Sequence, residues 1–257
     1  MGRQMRSDQP LVVHVDQRAE IADALKMVSS RGGQPVLVLV GGAGGMDDDD
    51  IHSLEEVFGR AIVPVIEKCH AAVVDGGTDS GVMRAVGRAR SKARAAFLLV
   101  GVASRGTVAL PGASAVADAA TVDKHHTHLL LVPGRKWGDE GPWLADVADV
   151  LAGDQRSVTL LVNGGDIAYD DADRSLERGR PVIVLAGTGR AADAIADAAA
   201  GRSSDPRALR VAQSSLTRVV PTEDLVALRM AVFEALGVTH RSFATRDQQI
   251  DRGKAGT

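Results

Sequence analysis

The chain has 257 residues, a formal net charge of −3 and only 3% aromatic residues. That length suits one large α/β domain or two small ones. The charge offers no basic field to recruit nucleic acid or an anionic membrane, and so few rings argue against a stacking platform for single-stranded nucleic acid.

The opening MGRQMRSDQP has no apolar core of a secretory signal, so a cytoplasmic location is expected. Short apolar runs then recur along the chain: Leu11–Val15, Val36–Val40, Ala71–Val74, Phe97–Val102, Leu129–Val132, Val158–Val162 and Val182–Leu185. None approaches the ~20 residues of a membrane helix. Apolar on both faces, they have the pattern of buried parallel strands. Helical stretches lie between them. Ile51–Lys68 has apolar residues at helical spacing with a kink expected at Pro64, and Gly81–Ala93, Trp143–Leu151, Ala191–Ala200 and Leu225–Leu236 follow. The alternation predicts an α/β fold, a mainly parallel sheet with helices on both faces. No linker divides it, so residues 1–240 are expected to form a single domain. Arg202–Pro206 reads as a loop before a C-terminal helical region, and 241–257 as a flexible polar tail. The single cysteine, Cys69, excludes a disulfide within the chain and a cysteine-rich zinc site.

Four predicted strands run into small-residue loops: GGAGGM (Gly41–Met46), DGGTDSGVM (Asp75–Met83), NGG (Asn163–Gly165) and AGTGR (Ala186–Arg190). In a parallel sheet all four lie at the carboxyl edge, where open α/β sheets bind ligands. Glycine there permits positive φ and close approach of the backbone, and the free N–H groups of the following helix favour an anion, typically phosphate. Arg190 stands where its guanidinium can fork onto phosphate oxygens. Asp193 and Asp197 read as helix-face charges. The acidic run Asp47–Asp50 complements a helix dipole. Beside GGAGGM it would repel a bare phosphate, so either that loop faces the sugar or base, or a Mg²⁺ ion bridges. In KHHTH (Lys124–His128), His126 and His128 would share one face of a strand; a metal pair and local hydrogen bonding are both open, with no third ligand apparent. Ser80 and Ser104 lie outside any GxSxG elbow. Trp137 and Trp143 flank GDEGP, where they can line a ligand mouth or cap the core.

Taken in order, GGAGGM, DGGTDSGVMRAVGRA, GVASRGTV, HTHLLLV, WGDEGPWL, LLVNGG and VIVLAGTGRAADAIADA resemble the LSDAT branch of the SLOG superfamily. That branch includes the N-terminal cytosolic domain of TRPM channels and stand-alone prokaryotic relatives. The likeness runs from about Val36 to Ala200. It implies a Rossmann-like sheet and a nucleotide-derived ligand, ADP-ribose or NAD-like. By position, Gly76, Gly77, Thr78, Ser80, Gly81, Val82 and Met83 match the second glycine loop, and Gly101, Ala103 and Gly106 the GVA-x-x-G strand end. Gly164 and Gly165 match the GG before a phosphate-facing helix. Gly187, Thr188, Gly189 and Arg190 match the GSGR-type turn. Gly41 and Gly42 of the first loop complete the expected ligand set.

Two departures matter. The channel domains continue GG with PGT, whereas this chain reads DIAYDD. The related LOG enzymes carry PGGxGTxxE; here Ile167 and Ala168 occupy the GT positions, and Asp170 and Asp171 fall near the acidic ones. Three functions follow. A sensor would couple nucleotide binding to a conformational or assembly equilibrium. A nucleotide N-glycosidase would hold phosphate on Arg190 and use Asp170 or Asp171 on an oxocarbenium-like transition state. A scaffold would self-associate around a structural pocket. The expected partners are a nucleotide-type small molecule and a second copy or an effector protein, with no nucleic acid and no membrane.

Overall fold

A computed structural model of the chain describes residues 9–29, 33–110 and 119–237; the expected tail, 241–257, lies outside them. The strands are β1 (Leu11–His14), β2 (Val36–Gly41), β3 (Ala72–Asp75), β4 (Leu99–Ser104), β5 (Val108–Ala109), β6 (Ala120–Thr121), β7 (His128–Val132), β8 (Ser157–Val162), β9 (Val182–Ala186) and β10 (Thr217–Pro221). Eight form one sheet in the order β1-β7-β4-β3-β2-β8-β9-β10, every pair parallel, while β5 and β6 pair separately.

Side chains alternate across each strand, and both faces are buried. Val36, Val38 and Val40 of β2 pack beneath α1 (Ile21–Val28), α5 (Gly141–Ala152), α6 (Asp166–Glu177), α7 (Arg190–Ala199) and α8 (Pro206–Ala212). Leu37 and Leu39 pack beneath α2 (Asp48–Val57), α3 (Val63–Cys69), α4 (Gly81–Lys92) and α9 (Leu225–Ala235). The expected Ile51–Lys68 helix is two helices joined by a wide π turn at Phe58–Ile62. Pro64, in the first turn of α3, supplies no N–H and crowds the preceding turn, which widens to clear it.

From β2 the chain steps outward through β3, β4 and β7. It then crosses back to β8 on the other side of β2 and continues outward to β10. Strand order therefore reverses between β2 and β8. Their carboxyl ends diverge into separate loops there, and a crevice opens.

Candidate functional site

A cleft of about 740 Å³ occupies that crevice. The β2 loop (Gly41–Gly45), the β3 loop (Gly76, Thr78, Ser80), Ala103 at the end of β4, the β7–α5 turn (Trp137, Glu140) and the starts of α6 and α7 form its walls. Two further cavities, of about 290 and 790 Å³, open at the amino edge of the sheet, away from the glycine loops.

One end of the cleft is built for an anion. Gly164, at φ +91°, turns the chain sharply out of β8 into α6, a conformation that suits glycine. A Cβ there would stand 2.5 Å from Ala168 Cβ. No side chain caps α6, and among the described residues the N–H groups of Gly165, Asp166 and Ile167 meet no backbone acceptor. That helix end presents partial positive charge to the cleft. The start of α7 is different, because its N–H groups are used internally. Ala191 and Ala192 donate to the carbonyls of Gly164 and Asn163, and Gly187 and Gly189 donate to the Asp193 carboxylate at 2.6 and 3.0 Å. Asp193, expected as a helix-face charge, is thus the clamp of the AGTGR turn. The clamp holds Arg190 in the left-handed region (φ +52°), a strained conformation for an arginine. From there its guanidinium reaches across the cleft: Nη1 donates to Gly44 O at 3.0 Å, and a Cβ on Gly165 would meet Nη2 at 2.6 Å.

The other end is acidic. Asp171 of α6 and Glu140, just before α5, both line the cleft. Burial raises the Asp171 carboxyl to about 7, with Glu140 and Asp170 adding to the rise and Arg174, 3.2 Å away, opposing it. Glu140 is held by Ser104 Oγ, which donates to it at 3.0 Å, and by Gly138 N–H. Trp137, 41% exposed, and Ile167, 38% exposed, form an apolar rim.

Of the residues expected from sequence, the cleft brings together Gly41, Gly42, Gly76, Thr78, Ser80, Met83, Ala103, Gly165, Arg190 and Asp171. The others stand behind its wall. Gly77 (φ +70°) and Gly101 pack back to back, with the Cβ position of Gly77 2.9 Å from Gly101 Cα. Gly81 lies against Gly42 O, and Val82, in the first turn of α4, is buried in the core. Gly164, Gly187 and Gly189 shape turns. The Thr188 hydroxyl accepts from Asn163 N at 2.8 Å and donates to Leu185 O at 2.7 Å, so it ties the β9 loop to the β8 loop. Asp170 is exposed and lies outside the lining. Sequence reasoning passed over Glu140, a residue marked only by its place in a glycine-bearing turn.

The acidic run is consumed locally. Asp47 and Asp50 form a capping box at the start of α2, Asp48 lies 3.8 Å from Arg84, and none of the four residues lines the cleft. His126 and His128 do not pair. His126 is buried between Asp75 and Asp123, His128 Nδ1 lies 2.9 Å from Thr127 Oγ1, and among the described residues no group of three or more acidic, histidine or cysteine side chains could hold a metal ion. Also among the described residues, no helix is long and apolar enough to cross a membrane.

A parallel sheet with glycine turns around a switch-point cleft, cationic at one end and acidic at the other, is the frame of a Rossmann-like protein with a nucleotide-related function. The chain belongs to the prokaryotic LSDAT family, described as SLOG in TRPM, whose model matches residues 34–230. In fold it is similar to the crystal structure of TM1055, target VT76 of the Northeast Structural Genomics Consortium. The TM-score is 0.51 at 19% identity, over 77% of this chain and 99% of that one.

Proposed function

We propose that the cleft binds a nucleotide-derived ligand by its ribose-phosphate unit, and that the protein senses that ligand. The observation that carries this reading lies on α6: the helix start and Arg190 offer an anion site, and Asp171 lies five residues further along the same helix. At 1.5 Å per residue the two are about 7.5 Å apart. A phosphate at the first and ribose hydroxyls at the second fit that spacing, and the exposed Trp137 ring stands where a planar base can stack. A volume of about 740 Å³ falls in the range of small-molecule sites. ADP-ribose and NAD-like molecules carry all three parts.

A second reading, N-glycosidic hydrolysis, is favoured by one observation. Asp171, whose carboxyl burial raises to about 7, lines the cleft together with Glu140, and a pair of carboxyl groups is what cleavage of a glycosidic bond uses.

Thermal unfolding against AMP, ADP-ribose, NAD and ribose 5-phosphate, with and without Mg²⁺, tests the first reading. A ligand at ~100 times its Kd adds ~2.7 kcal/mol, which raises Tm by roughly 5–10 °C for a domain of this size. The shift is expected to vanish in Arg190→Ala, whose own melting temperature stays near that of the parent. No shift with any of these ligands overturns the reading. Chromatography of the bound ligand then separates sensing from hydrolysis by the release of free base.

A further inference from the structure

Beneath the β3 loop lies a buried charged cluster that the ligand site does not use directly. Asp75, Asp123 and His126 side chains are each 0–1% exposed. His126 Nε2 lies 2.7 Å from Asp75 Oδ1, and its Nδ1 lies 3.3 Å from Asp123 Oδ2. A neutral imidazole has a single N–H, so with a carboxylate at each nitrogen its lone pair would oppose one of them; the imidazolium hydrogen-bonds Asp75 and presents its second N–H to Asp123 as an ion pair, without hydrogen-bond geometry. Burial works against that charge, and Asp75 and Asp123 more than offset it, so the imidazole titrates at about 9. Burial likewise raises the Asp123 carboxyl, but bonds from His126 and His125 outweigh it and hold it below the usual carboxylate range.

The same two residues fasten both peptides that flank Gly77 in the loop. Gly77 N–H donates to Asp75 Oδ1 at 2.8 Å, and Gly77 O accepts from Asp123 N at 3.0 Å. The β6–β7 segment then continues along the loop: Thr78 bridges to Val122, and Asp79 N donates to Thr121 O at 2.7 Å. Helix α4 closes the cluster from above at Gly87, where a Cβ would stand 1.9 Å from Asp123 Oδ2.

We propose that the His126 imidazolium is the positioning residue of the cleft: by bridging Asp75 and Asp123 it locks Gly77, and so holds Thr78 and Ser80 on the ligand wall. The ligand-facing consequence rests on the ribose-phosphate reading above; the lock itself does not. The other charged groups around the cluster are accounted for. His125 Nδ1 lies 2.7 Å from Asp123 Oδ1 on the side away from His126. Arg90 of α4 donates to the carbonyls of Phe97 and His125. Arg84 pairs with Asp79. Burial lowers the pKa of His128, which keeps it neutral. Lys124 is exposed. Among the described residues, His126 contacts both inner carboxyl groups at once.

The test uses the full chain with ¹⁵N-labelled histidine and amide hydrogen exchange, expressed as protection factors so that intrinsic pH effects cancel. His126 is expected to show both ring nitrogens protonated at pH 7. Protection at Gly77 is expected to fall at least tenfold relative to the β3 amides as pH rises through about 9. His126→Gln is expected to reproduce that loss at pH 7 and to weaken AMP binding at least tenfold. If that variant does not fold, the wild-type imidazole shifts and the wild-type pH series still decide the matter. A neutral His126 at pH 7, or Gly77 protection that ignores both pH and the substitution, overturns the lock. A lock that holds in a protein that binds none of AMP, ADP-ribose, NAD and ribose 5-phosphate overturns the ligand reading alone.

Discussion

Replacing Asp171 by Asn makes the protein more stable at alkaline pH, and by an amount that depends on pH. The carboxyl titrates at about 7 instead of its ordinary 3.8. At about 1.4 kcal/mol per pKa unit, the charged form is held in the fold at a penalty of up to roughly 4 kcal/mol. The native state therefore binds more protons than the unfolded chain between pH 3.8 and about 7, so wild-type stability falls as pH rises through that window and levels off above it. Asparagine carries no such proton. The side chain remains 14% exposed and loses part of its pairing with Arg174 in the variant, so a gain of about 1–3 kcal/mol is expected from this linkage. Urea unfolding of both proteins at pH 4, 6 and 8 gives the difference directly, and other titrating groups cancel in it. The variant's advantage should grow by that amount from pH 4 to pH 8. A difference that is flat with pH, or that shrinks, means that Asp171 ionises normally and that the acidic end of the cleft holds no proton near neutrality.

Three further substitutions probe how the site is held. Gly141→Ala puts a Cβ 2.6 Å from Asp171 Oδ1 and 3.0 Å from Arg174 Nη1; both are ends of movable side chains, so the fold survives, but the pH dependence of the Asp171 linkage should shrink as the carboxyl swings toward solvent. Gly164→Ala combines positive φ with a clash on Ala168 and should cost at least about 2 kcal/mol, read as a drop of roughly 4 °C or more in Tm. Asp193→Ala strands the N–H groups of Gly187 and Gly189. It should cost about 1–2 kcal/mol and weaken AMP binding in calorimetry although Asp193 touches no ligand, because Arg190 loses the turn that sets its conformation.

The sheet was legible because its strands are buried on both faces. A continuous run such as VLVLV at Val36–Val40 needs no alternation to be recognised, and the glycines that follow four of the runs marked the carboxyl edge. Helix α6 was not legible. Its buried residues are Ala168, Tyr169, Ala172 and Ser175; Ala168, Ala172 and Ser175 are small and let the helix lie close to the sheet, with Ser175 Oγ hydrogen-bonded to Thr159 Oγ1 at 2.8 Å. That face reads as polar in the sequence. The edge strand β10 buries only Val220 fully, too little to register as an apolar run.

Within the site, what sequence conveys depends on how far apart the partners lie. The capping box at Asp47 and Asp50 spans three residues and was readable as a helix-start signal. Asp193 looks like any i, i+3 charge on α7, because its role appears only once the AGTGR turn folds back over it. Ser104 lies 36 residues from Glu140, and Asp75 lies 51 from His126; no local pattern ties such pairs together. The glycine loops therefore announce where the cleft lies, whereas the charged groups in and beneath it (Glu140 with Asp171, His126 between two aspartates) come together only through the order of the strands. In a family that keeps the loops, ligand preference and pH response are free to change through those distant pairs while the loop motifs stay intact. Relatives with the same glycine pattern are accordingly expected to differ in activity where Glu140, Asp171 or His126 differ, and exchanging those residues between two relatives should transfer the pH profile of ligand binding without altering the fold.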